Sequence, residues 1–339
     1  MTANSKNQDE WYTIACGRTQ FTLPVRYQNL VHIGERPFGA VVRATDTETG
    51  KYVAIKKIFH PFQTPILAKR TYRELKLLIY LNHPDAHVIQ LYNLFTPEKN
   101  IDDFQTLYFV LNYVDYDLNR VIKRNLPFTE DQIKYIIYSL LRGLKFIHSA
   151  GILHHHLKPS NIRIDKNSNI TSIGCIMAEI ILLRPVFRGT NHIDQLDKIF
   201  DIIGTPDLVI LNDICVPVAA ACISQLPPKT KKDYNELFGF KYDPVIQTPT
   251  SGVSPEGIDF LDHLLSFDHR TRPTTEEALS HPFLKSFHDL MDEPTKEYLV
   301  DEHQNEVYSI SEWKSIIWQM LEEFVPPSWI NDEDDVAND

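Results

Sequence analysis

The hydrophobic period of this chain changes once along its length, and that change limits the folds open to it. From Tyr27 to Tyr113 apolar residues come in short runs: Leu30 to Ile33, Val41 to Ala44, Tyr52 to Ile58, Val88 to Phe95 and Thr106 to Tyr113. Turn residues such as Thr49-Gly50 separate them, so the runs read as strands of a small antiparallel sheet. One helical stretch interrupts, Ala68 to Leu81, with Leu75, Leu78 and Ile79 on one face. After Asp117 the spacing becomes helical: Ile133, Ile136, Ile137, Leu140, Leu141, Leu144 and Ile147 form one stripe. Thr129 with Gln132 reads as a capping box before that stripe, and Gly151 as its stop. Ile193 to Ile203, ending at Gly204, and Ile258 to Leu265 follow the same logic. A strand-rich lobe with one helix, then a larger helical lobe, is a two-lobed α+β architecture. The expected divisions are an N-terminal segment 1–24, a first lobe 25–114, a second lobe 115–287 and an extension 288–339.

At 339 residues and 43% hydrophobic, the chain can bury two cores. Its formal charge of −11 argues against coating nucleic acid or an anionic membrane and favours basic partners. Cys16, Cys175, Cys215 and Cys222 make no C-x-x-C pair and no His-spaced ligand set, so neither a disulfide framework nor a zinc site is indicated. Met1 to Glu10 is polar, and no apolar run reaches the ~18 residues of a membrane helix. The expectation is a soluble, reduced, intracellular monomer, its acidic end Asn331 to Asp339 a solvated tail.

Ile33-Gly34-Glu35-Arg36-Pro37-Phe38-Gly39-Ala40-Val41 lies between the first two strands, Val53-Ala54-Ile55-Lys56 on the third, and Tyr72-Arg73-Glu74-Leu75 on the helix. Singly these are ordinary: glycines punctuate hairpins, and a strand lysine is usually solvated. In this order they resemble the protein kinases, in which a glycine-rich hairpin covers the nucleotide phosphates, a strand lysine holds them and a helix glutamate orients the lysine. Lys56 and Glu74 match the last two roles.

Leu153-His154-His155-His156-Leu157-Lys158-Pro159-Ser160-Asn161 stands where the family has H-R-D-L-x-x-x-N. His155 replaces the arginine and His156 the aspartate that accepts the substrate's hydroxyl proton, while Lys158 and Asn161 match. Consecutive side chains diverge, so His154, His155 and His156 do not read as one metal site. The strand, the D-F-G metal ligand, the activation loop and A-P-E that the family places next are not found, and Asn161 to Ile170 runs directly into Thr171 to Glu179, similar to a later helix. With only the neutral amide of Asn161 as a candidate ligand, no confident metal site remains, and Mg2+ binding is expected to be weak or absent. Loss of a general base alone costs roughly 100- to 10,000-fold in rate. Arg36 occupies the place of the hairpin's middle glycine, where it crowds the phosphates or contacts them directly. The reading is therefore a kinase homologue impaired in phosphoryl transfer that still offers a nucleotide site for ATP. The alternative is a weak serine/threonine kinase with neutral His156 as base. Arg272 matches an arginine whose glutamate partner is missing, so water is expected to reach it or the lobe to rearrange around it.

Lys56 to Gln63, Ala68 to Leu75, Gly189 to Leu196 and Glu312 to Pro327 are similar to the mitogen-activated protein kinases, in particular the stress-activated branch, and the likeness covers Tyr27 to Pro327. It implies a nucleotide pocket of Ile33, Gly34, Gly39, Val41, Ala54, Lys56 and Glu74, with Leu111 as gatekeeper, Asn112 to Val114 as hinge and Asp117 near the ribose. It also implies an acidic docking patch, Asp289, Asp292 and Glu293, for basic-hydrophobic peptides of upstream kinases, phosphatases or substrates. Lys166-Asn167 stands where a second acidic docking element would be, which alters partner choice. The setting implied is cytoplasmic, with access to the nucleus.

Overall fold

Two compact units make up the chain: one holds the residues up to Pro84, Val88–Val114 and those from Leu299 on, the other Asp85–His87 and Asp115–Tyr298. The computed structural model describes residues 10–153, 163–164, 173–289, 291 and 293–331.

The first unit begins with a hairpin the periodicity did not disclose, β1 (Trp11–Cys16) and β2 (Thr19–Pro24). Gly17, at φ +64°, turns it, and a β-carbon there would strike the His32 ring. A five-stranded antiparallel sheet follows, made of β3 (Tyr27–Arg36), β4 (Gly39–Asp46), β5 (Tyr52–Ile58), β6 (Leu91–Phe95) and β7 (Leu107–Asn112) in the order β3-β4-β5-β7-β6. β3 and β4 run longer than their apolar runs suggest because hydrogen bonding, not hydrophobicity, sets where a ladder ends. Phe21 and Leu23 of β2 bury the face of β4 formed by Ala40, Val42 and Ala44.

Helix α1 (Pro65–Tyr80) starts earlier than its apolar stripe, because the Thr64 side chain accepts from Leu67 N and Pro65 sits in the first turn. Ala68, Tyr72 and Leu75 face inward. The C-terminal helix Ile310–Glu323, opened by the Ser309–Glu312 capping box, packs its Trp313 and Ile317 into the same core. The stretch after 287 thus divides, its later part belonging to the sheet unit.

In the second unit a short strand β8 (Tyr116–Asp117) leads into α2 (Leu118–Ile122) and the long α3 (Glu130–Ser149). Both halves of the Thr129–Gln132 capping box form, and all seven residues of the predicted stripe are buried. Gly151 ends α3 at φ +73°, its N–H on His148 O, and a β-carbon there would enter the Tyr298 ring. The unit also contains β9 (Arg163–Ile164), α4 (Ile173–Leu182), α5 (His192–Ile203), α6 (Leu208–Ile214), α7 (Pro217–Ser224), α8 (Tyr234–Phe238), α9 (Pro255–Leu264) and α10 (Thr275–Leu279), of which α4 and α10 pack on α3. Gly174 lets α4 lie against Leu264 and Leu265. Among the described residues no helix is long and apolar enough to cross a membrane.

Candidate nucleotide-binding face

Alternation along β4 leaves Val41, Arg43 and Thr45 half-buried on the face opposite Ala40, Val42 and Ala44. The register pairs Val41 with Lys56, Arg43 with Ala54, and Ala54 with Leu111, so Val41, Ala54, Lys56 and Leu111 lie together on that face. Lys56 Nζ forms an ion pair with Glu74 Oε1 of α1 and lies 5.9 Å from the Phe109 ring centre. Strand and helix of one unit thus bring together a cation and its orienting carboxylate from 18 residues apart.

The hairpin β3–β4 turns at Pro37-Phe38, with Arg36 paired to Gly39 and Gly34 to Val41. Gly39 has a packing reason: a β-carbon would come 2.5 Å from the Lys57 carbonyl oxygen. Gly34 has none, since a β-carbon there meets nothing within 4 Å, and Ile33 beside it is exposed. The Asn112 side chain is occupied in joining two strands: Oδ1 accepts from Gln90 N at 3.0 Å. Val114 is half-buried at the end of the sheet unit. Asp117 belongs to the helical unit, where its carboxylate caps α2 by accepting from Arg120 N at 2.8 Å.

One member of this face escaped the sequence reading. The Arg43 guanidinium stacks 4.4 Å over Tyr52 and 5.7 Å from Tyr113, with Nε buried and lacking a hydrogen-bond partner. Its place two residues beyond Val41 on an alternating strand was the available signal.

His154, His155, His156, Lys158, Asn161, Lys166, Asn167 and Asp292 lie outside the described residues, as does the Arg36 side chain. Two expectations for the helical unit need correcting. A strand does follow the His-rich stretch of sequence, for β9 pairs antiparallel with β8, Tyr116 with Ile164 and Asp117 with Arg163. Glu293 is not available to a docking peptide: its side chain is 0% exposed, with Oε2 2.9 Å from Lys145 Nζ and Oε1 2.7 Å from His288 Nδ1. Two charge-assisted hydrogen bonds offset the cost of taking this carboxylate out of water. Asp289 does remain exposed, its Oδ1 accepting from Met291 N at 2.9 Å. Arg272 is exposed, as expected for an arginine without its carboxylate, and Nε donates to Ser266 O at 2.8 Å.

A five-stranded sheet carrying a strand lysine paired to a helix glutamate, joined in sequence to a helical unit, defines a protein kinase fold. The protein kinase domain model matches residues 27–171 and 164–284. The chain is 34% identical to mitogen-activated protein kinase 14 of Xenopus laevis, covering 97% of this chain and 99% of that protein. It is also 34% identical to mitogen-activated protein kinase pmk-1 of Caenorhabditis elegans (94% and 91% covered) and 32% to p38b of Drosophila melanogaster (95% and 96%). The chain belongs to the mitogen-activated protein kinases, in their stress-activated, p38-type branch.

Proposed function

We propose that this member of the family is impaired in phosphoryl transfer and acts by docking to signalling partners: upstream kinases, phosphatases or substrates with basic-hydrophobic peptides. The observation that carries the reading is in the sequence. His156 stands in place of the proton-accepting aspartate, and no Asp-Phe-Gly lies between Asn161 and Ile173. Two further observations support a missing activation segment. The kinase match comes in two pieces that meet at 164–171, and the alignment with the Xenopus relative, 372 positions long, exceeds the 339 residues of the chain and so opens gaps in it.

The intact Lys56–Glu74 pair supports retained nucleotide binding. On this reading Lys56 neutralises phosphate charge and the wall of Val41, Ala54 and Leu111 receives the base, while the Asp-Phe-Gly carboxylate with which the family seats its metal is missing from the sequence after Asn161. The family's cytoplasmic and nuclear setting is part of the proposal.

Thermal melting with ATP, with and without magnesium, tests the nucleotide site: a rise in Tm that does not require magnesium is expected, and Lys56→Met should abolish it. A radiolabelled transfer assay on docking-motif substrates tests the chemistry. Turnover at an ordinary kinase rate of about 1–100 per second would overturn the proposal. Slow turnover lost in Lys56→Met would favour the rival reading, in which His156 is the base.

A further inference from the structure

In the helical unit, away from every residue assigned above, three metal-ligating side chains converge. α9 carries Asp259 and His263 one turn apart, so both project from the same face. His281, between α10 and the turn Pro282–Leu284, approaches from the chain packed against that face. Its Nε2 lies 3.2 Å from Asp259 Oδ2, and His263 Nδ1 lies 3.8 Å from Asp259 Oδ1. One ligand atom from each residue falls within 4.8 Å of the other two.

We propose that Asp259, His263 and His281 form a binding site for a divalent transition-metal ion of the zinc class, tying α9 to the segment that follows α10. Two imidazoles and one carboxylate are a borderline donor set that suits Zn2+, and three protein ligands leave a fourth position for water. At bond lengths of about 2.0–2.2 Å, tetrahedral ligand atoms stand about 3.3–3.5 Å apart. The 3.2 Å separation of His281 Nε2 from Asp259 Oδ2 already comes within about 0.1 Å of that spacing, and the exposed His263 supplies the third ligand atom by a side-chain movement.

The three ligands differ in mobility in a way that suits capture. The His281 side chain is 16% exposed and tilted 4.8 Å from the Phe260 ring, a fixed anchor; Asp259 and His263, 63% and 56% exposed, are free to close on the ion.

The protons can be followed. Phe283 N–H donates to His281 Nδ1 at 3.2 Å, which places the neutral ring's proton on Nε2, facing Asp259. A metal ion takes the place of that proton, which moves to Nδ1, and the Phe283 hydrogen bond is given up. His263 Nδ1–H donates to Asp259 O at 2.8 Å, so the lone pair for the metal is on its Nε2. Giving up that hydrogen bond lowers the expected affinity roughly 10- to 100-fold below that of a preformed structural zinc site.

The full chain titrated calorimetrically with ZnCl2, and melted with and without it, tests the site. One saturable equivalent and a raised Tm are expected, and Co2+ should give the visible absorption of a four-coordinate complex. His263→Gln alters an exposed side chain and should leave the metal-free Tm unchanged while weakening binding at least tenfold; Asp259→Asn should weaken it likewise. Absence of saturable binding would overturn the site. So would binding unchanged in His263→Gln, or binding lost when His154, His155 and His156 are replaced by alanine, which would move the metal to those residues.

Discussion

Single residues show where charge placement, rather than charge count, sets behaviour. Glu293 is held by Lys145 and His288 in the interior of the helical unit. Removing one partner of a buried pair strands the other, so Lys145→Met should cost about 3–5 kcal/mol in chemical denaturation, and Lys145→Met with Glu293→Leu should recover most of that loss. Asp268 answers to pH instead. The hydrogen bonds from Arg270, with Nε at 2.9 Å and Nη2 at 2.7 Å, hold its carboxyl down at about 2. Because that value lies below the ordinary 3.8, the stability it contributes is complete above about pH 4 and is lost as pH falls toward 2. Asp268→Asn should therefore flatten the fall in urea midpoint across that interval, and a variant as acid-sensitive as the parent would refute the assignment. Neither fate could be read from the sequence, where Glu293 stands in a run of surface-like acids and Asp268 in Asp268-His269-Arg270.

At the scale of elements, local signals in the sequence transferred well where they were chemical. The capping box of α3 forms with Gln132 Oε1 accepting from Thr129 N at 2.9 Å, and Thr129→Ala should cost about 1 kcal/mol, read from the denaturation midpoint. Gly39 marks a close approach of strands, and Gly39→Ala, placing a methyl group 2.5 Å from the Lys57 carbonyl, should cost about 1–3 kcal/mol and weaken nucleotide-dependent stabilisation, since Lys56 precedes that carbonyl. Element ends transferred less well. α1 begins at Pro65 because Thr64 caps it, three residues before its apolar stripe, and β1–β2 formed where no strand was expected. Half of β1, with Trp11 and Ile14 exposed, gives too weak an alternation to stand out.

For the whole molecule, a net charge of −11 should appear as salt dependence: a basic docking peptide is expected to bind more weakly as ionic strength rises, measurable by fluorescence anisotropy. With Glu293 buried, Asp289→Asn should weaken that binding and Glu293→Gln should act only through stability. The succession of a strand lysine, a helix glutamate and a 3.6-residue stripe was enough to specify the kinase architecture, because periodicity and capping are local and survive substitution at 34% identity. Which acids face water, which residue of β5 pairs with Arg43, and which three side chains of α9 and the turn after α10 come within 4.8 Å of one another were decided only in three dimensions. Burial and long-range pairing depend on residues distant along the chain, as Lys145 is 148 residues from Glu293 and His281 is 22 from Asp259.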